Sequence, residues 1–223
     1  MEYVLIVNFK SYAQGVGENA LKLSRIAEKL SMEHNIKIII AAQPCDIRLL
    51  SENVKIPIFA QHVDPIGYGA HTGWILPESV KEAGAAGTLL NHSERRMDFE
   101  MLKKSVERCK QIGLVTCVCA DTPENAKKIA YINPDYVAIE PPELIGGDIS
   151  VSNAKPELIR ESVEKVHEVA DIPVLCGAGI KTADDVKKSL ELGSCGVLVA
   201  SGVVKSSNPE NAIRNLINGF GRS

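Results

Sequence analysis

Short apolar runs punctuate the chain at 3–8, 37–42, 58–61, 88–91, 115–119, 136–139, 174–176 and 196–200, each rich in Val, Ile or Leu. Most are continuous rather than alternating, as strands of a parallel sheet buried on both faces must be. Between them the apolar positions change to helical spacing. Leu23, Ile26, Ala27 and Leu30 fall on one helix face. So do Leu102, Val106 and Cys109; Ile159, Val163 and Val166; Ala183, Val186 and Leu190; and Ile213, Leu216, Ile217 and Phe220. Asp98 and Thr182 stand at N-cap positions, while Pro156 and Pro209 suit first turns. Residues 125–130 read as a short helix; 46–53 and 78–83 carry the weakest helical pattern.

Strand and helix alternate through the whole chain, with no linker to divide it. This predicts a single α/β domain over 1–223, a closed (β/α)₈ barrel. A doubly wound open sheet is the alternative. It calls for a Gly-rich helix opening directly after the first strand, where this chain has Asn8-Phe9-Lys10-Ser11-Tyr12. Gly177-Ala178-Gly179 after the seventh strand is followed by Thr182 where a dinucleotide fingerprint has its third glycine.

Composition narrows the function. The 223 residues are 45% hydrophobic and carry 25 basic against 28 acidic side chains, a net charge of −3, so nothing suggests a nucleic-acid partner. The N-terminal apolar stretch is too short for a signal peptide or membrane span, so a cytoplasmic location and no membrane partner are expected. The six cysteines, Cys45, Cys109, Cys117, Cys119, Cys176 and Cys195, are scattered without zinc-site spacing. All six are expected to be small buried thiols, with Cys117 and Cys119 facing the same side of one strand.

In such barrels active sites form at the C-terminal strand ends, and phosphate commonly binds the loops after strands seven and eight. Strand one ends in Asn8 and Lys10, a neutral donor and a cation on one side of the chain. Strand four ends in Asn91-His92-Ser93-Glu94-Arg95-Arg96. A helical turn near Ser93 would disfavour imidazolium and leave His92 neutral. Strand six delivers Glu140, followed by Pro141-Pro142 and then Gly146-Gly147, a carboxylate on a rigid tip with a stiff hinge and a flexible segment behind it. An ordinary surface carboxylate before a turn is the alternative. Cys176-Gly177-Ala178-Gly179-Ile180 and Val199-Ala200-Ser201-Gly202 are small-residue turns that let backbone N–H groups approach an anion. Together these ends suit proton abstraction beside a carbonyl in a small phosphate ester.

Four pieces in this order, Asn8-x-Lys10, Gly69–Gly73, His92-Ser-Glu-Arg-Arg96 and Ala138-x-Glu140-Pro141, make the sequence resemble the triosephosphate isomerases of the short archaeal type over nearly its whole length. The resemblance implies a TIM barrel and an isomerase of glycolysis and gluconeogenesis that needs no cofactor or metal. It implies Glu140 as catalytic base, His92 as electrophile, and Lys10 and Asn8 as substrate-binding and charge-stabilising groups. Phosphate binding would fall to the backbone at Ile145, Gly146, Gly179, Ala200 and Ser201, beneath a lid over 141–149. The 61–74 stretch would reach a neighbouring subunit, with Thr72 approaching that subunit's Lys10 and Tyr68 and Trp74 as anchors. A homo-oligomer follows, a homotetramer before a dimer, and Glu94 would pair with Lys10. Departures are Phe9 between Asn and Lys where Trp is usual, Asp148 in the lid, and Gly-Ala-Gly in place of Gly-Gly-Ser after strand seven.

Overall fold

The computed structural model describes residues 2–141 and 155–221. Its strands are β1 (Val4–Asn8), β2 (Lys37–Ala42), β3 (Ile58–Ala60), β4 (Gly87–Leu90), β5 (Val115–Ala120), β6 (Tyr136–Ile139), β7 (Val174–Cys176) and β8 (Gly196–Val199). Each pairs in parallel with the next, and β8 pairs with β1 (Leu5 opposite Val197, Ile6 opposite Leu198), closing the barrel. The strand runs are continuous in sequence because both of their faces are covered. Val4, Ile6, Ile39, Ala41, Phe59, Leu89, Cys117, Cys119, Ala138, Leu175, Cys195 and Leu198 pack the barrel interior. Leu5, Val7, Phe9, Ile38 and Ile40 face outward, into a second core shared with the helices. Phe9 therefore points away from the strand mouths, so its replacement of the usual Trp lies outside the site.

The helices follow their predicted faces. Leu23, Ala27 and Leu30 are buried on Gly17–His34, and Ile26 packs partly buried against the same core. Leu102, Val106 and Cys109 are buried on Phe99–Ile112, where Asp98 accepts the Met101 amide as N-cap. Thr182 and Asp185 form a reciprocal capping box at the start of Ala183–Glu191. The two weakly patterned segments form short helices, Ile47–Ser51 and Pro77–Glu82.

One expectation is corrected. Cys45 is exposed, since it lies in the 3₁₀ turn Pro44–Asp46 on the surface, whereas the other five cysteines are buried. Burial and the nearby Glu140 charge push the Cys117 and Cys119 thiols well above their ordinary range, so both are neutral packing groups. The helical turn expected near Ser93 is one isolated turn and opens no helix. The chain makes a turn there, closed by the Arg95 amide donating to the His92 carbonyl at 2.8 Å, and the next helix begins at Phe99.

Candidate active site

Six predicted residues, Lys10, His92, Glu140, Gly179, Ala200 and Ser201, line one cleft of about 490 Å³ at the C-terminal mouth of the barrel, together with Gly177 and Gly202. Asn8 lines the adjoining cavity, which Lys10 and His92 share. Ile145, Gly146 and the 142–149 part of the expected lid lie outside the described residues.

Glu140 follows β6 directly, and its amide donates to the Ala120 carbonyl at 2.7 Å, an extension of the β5–β6 ladder that fixes its backbone. The side chain is 2% exposed, and its Oε1 lies 3.4 Å from His92 Nε2. Among the described residues, neither Glu140 Oε2 nor His92 Nε2 has a hydrogen-bond partner. Buried polar atoms without partners are costly, and here two of them face the same cleft.

The His92 ring has a defined tautomer. The Glu94 amide donates to Nδ1 at 3.2 Å, so Nδ1 is the lone-pair nitrogen and the ring proton sits on Nε2, toward Glu140. The backbone N–H that the sequence placed beside His92 is thus the Glu94 amide, in the turn after β4.

Lys10 adopts a left-handed conformation (φ 48°), uncommon for a side chain with a Cβ, and is over-determined by its neighbours. Its amide donates to Asn8 Oδ1 at 3.0 Å. Its carbonyl accepts from Gln61 Nε2 at 2.9 Å and Gln43 Nε2 at 3.1 Å. Its ammonium, 2.9 Å from Glu94 Oε1, makes the expected pair. Asn8 thus shapes the bend that carries Lys10, rather than sharing a strand face with it. Gln43 and Gln61 were missed in the sequence; a polar residue ending each of β2 and β3, at the active mouth, was the available signal.

The small-residue turns are as open as their composition suggests. Gly179 has φ 70°, a left-handed value suited to glycine. Ala200 precedes the short helix Ser201–Val204. Among the described residues no backbone hydrogen bond engages the Gly179, Ser201 or Gly202 amides. Gly177 was not singled out for its contact with the base: a Cβ there would lie 2.5 Å from Glu140 Cγ.

A family model described as triosephosphate isomerase matches residues 3–218. The chain belongs to the triosephosphate isomerase family. It is 48% identical to the triosephosphate isomerase of Methanocaldococcus jannaschii, over 96% of this chain and 98% of that protein. Its identity to the enzyme of Methanothermus fervidus is 49%, over 96% and 97% of the two chains. With that of Saccharolobus solfataricus it is 44%, over 96% and 94%.

Proposed function

We propose that this chain is a triosephosphate isomerase that interconverts dihydroxyacetone phosphate and D-glyceraldehyde 3-phosphate, in glycolysis and gluconeogenesis, through one catalytic domain over residues 1–223. The observation that carries the reading is the buried pair of Glu140 Oε1 and His92 Nε2, 3.4 Å apart beside Lys10.

Glu140 removes a proton from the carbon beside the substrate carbonyl. His92, donating from Nε2, and Lys10 stabilise the negative charge that develops on the enediolate oxygens. The proton returns to the neighbouring carbon. Lys10 and the hydrogen-bond donors meet the charge, so the reading calls for neither metal nor organic cofactor. The backbone at Gly179, Ala200 and Ser201 takes the phosphate, whose two negative charges suit the Lys10 ammonium at the other side of the cleft. Asn8 supports Lys10, and Ile145 and Gly146 keep the phosphate role that the resemblance assigns.

We propose a homotetramer for the assembly, supported by the exposure of Tyr68 and Trp74 on the loop after β3 (78% and 49%). Among the described residues no helix is long and apolar enough to cross a membrane, in keeping with a proposed cytoplasmic location.

The test is turnover of both triose phosphates, with borohydride trapping alongside. Interconversion without a covalent adduct is expected. An adduct on Lys10 would mark a Schiff-base aldolase or lyase instead. No turnover of either triose phosphate would mark a phosphate-binding protein on the same fold.

A further inference from the structure

We infer that Asn91 is the positioning residue for the His92 imidazole. His92 leaves β4 through Asn91, whose backbone is left-handed at φ 57°. Asparagine tolerates that conformation better than most residues with a Cβ. The side chain, buried with the residue 9% exposed, then makes two contacts that glycine could not. Its Nδ2 donates to the Cys119 carbonyl on β5 at 2.9 Å. Its Oδ1 accepts the Met97 amide at 3.0 Å, closing the 91–97 loop on itself. The Asn91 carbonyl accepts from Arg96 Nη1 at 3.4 Å, and Nη2 of that guanidinium lies 3.2 Å from Asp121 beyond β5.

The loop that carries His92 is thus pinned to β5 at its start and tied back to Asn91 at its end. Within it, the Glu94 amide that fixes the imidazole tautomer has nowhere to drift. Glu140 is bound to the same strand from the other side, through its amide to the Ala120 carbonyl at 2.7 Å. β5 is therefore the common reference for the two members of the proposed acid–base pair, and Asn91 is what ties His92 to it. Phosphate recognition, at the turns after β7 and β8, does not depend on that link.

The inference rests on the isomerase reading for its kinetic part alone. Asn91→Gly keeps the bend and removes both side-chain contacts. Asn91→Asp keeps the bend and the acceptor for Met97, but sets a carboxylate oxygen against the Cys119 carbonyl. For Asn91→Gly, kcat is expected to fall by roughly 10²-fold, the effect of a misplacement of about 1 Å. KM and the inhibition constant of inorganic phosphate should stay within about two-fold of wild type, since phosphate binding is untouched. Asn91→Asp should fall in the same manner.

A kcat within about two-fold of wild type in both variants would overturn the inference, as would an equal weakening of phosphate binding, which marks general loosening. Imidazole ¹⁵N spectra give a readout that needs no turnover. Wild type should show a protonated Nε2 and a bare Nδ1, and both variants should show the tautomers averaging. Unchanged His92 nitrogen shifts in the variants would overturn the inference even if the enzyme had another activity. If Asn91→Gly fails to fold, Asn91→Asp alone carries both measurements.

Discussion

Glu140 has little room to be anywhere else. Its backbone is tied to β5, its carboxylate faces His92, and Gly177 leaves no space for a Cβ beside its side chain. A methyl group at residue 177 would stand 2.5 Å from Glu140 Cγ and 3.2 Å from the Ile139 carbonyl, so the side chain must swing aside. Gly177→Ala should therefore lower kcat by roughly 10²-fold while the circular dichroism spectrum stays native. An unchanged kcat would mean that Glu140 can yield without losing its aim. Three of the site residues were legible only together: a carboxylate, an imidazole or an ammonium at one strand end reads equally well as surface chemistry, but all three at one barrel mouth do not. Gly177, Asn91, Gln43 and Gln61 were not legible, since a glycine or an amide at a strand end reads equally well as turn chemistry. Their roles depend on which strand lies alongside, and only the closed barrel determines that.

At the scale of elements, the strands were legible because burial on both faces writes a run of Val, Ile and Leu into each. The short helices Ile47–Ser51 and Pro77–Glu82 were legible only weakly, because one helical turn and a half cannot display a periodicity. The helical turn expected near Ser93 stays a single turn: the Asn91 side chain takes the Met97 amide, and the next helix begins at Phe99.

The loop after β3 is held at its base by a buried pair. His62 Nε2 lies 3.0 Å from Asp64 Oδ1, and Asp64 Oδ2 accepts the Ile75 amide at 2.6 Å. Burial pushes His62 below the ordinary imidazole value further than Asp64 raises it. Burial also pushes Asp64 up, but the Ile75 amide, His62 and Arg95 together outweigh it and hold the carboxyl below its usual value. Both groups bind fewer protons folded than unfolded, so both contribute stability at neutral pH. The His62 part is lost first, as pH falls from the ordinary imidazole value of 6.5 toward its lower folded value; the Asp64 part follows below 3.8. Protection of the Ile75 amide against hydrogen exchange, corrected for intrinsic rate, should drop between about pH 7.5 and about pH 5.5, and His62→Asn should abolish that dependence. A flat profile in wild type would show that His62 does not govern the loop.

The whole molecule sets a barrel packed on both faces beneath a mouth where, among the described residues, Glu140 Oε2 and His92 Nε2 have no hydrogen-bond partner. Tyr68 and Trp74 are exposed on the cinched loop, and the proposed homotetramer would cover them. Light scattering should report four chains for wild type, and Tyr68→Glu with Trp74→Glu should give a smaller species. A double variant of unchanged mass would place the interface elsewhere. Proton abstraction by Glu140 is the step on which the rest depends, and the turnover number of Glu140→Ala with either triose phosphate tests it most directly. A fall of roughly 10²–10⁴-fold, with phosphoglycolate still bound by the folded variant, is expected for loss of a general base. A variant that kept most of the wild-type rate would contradict it.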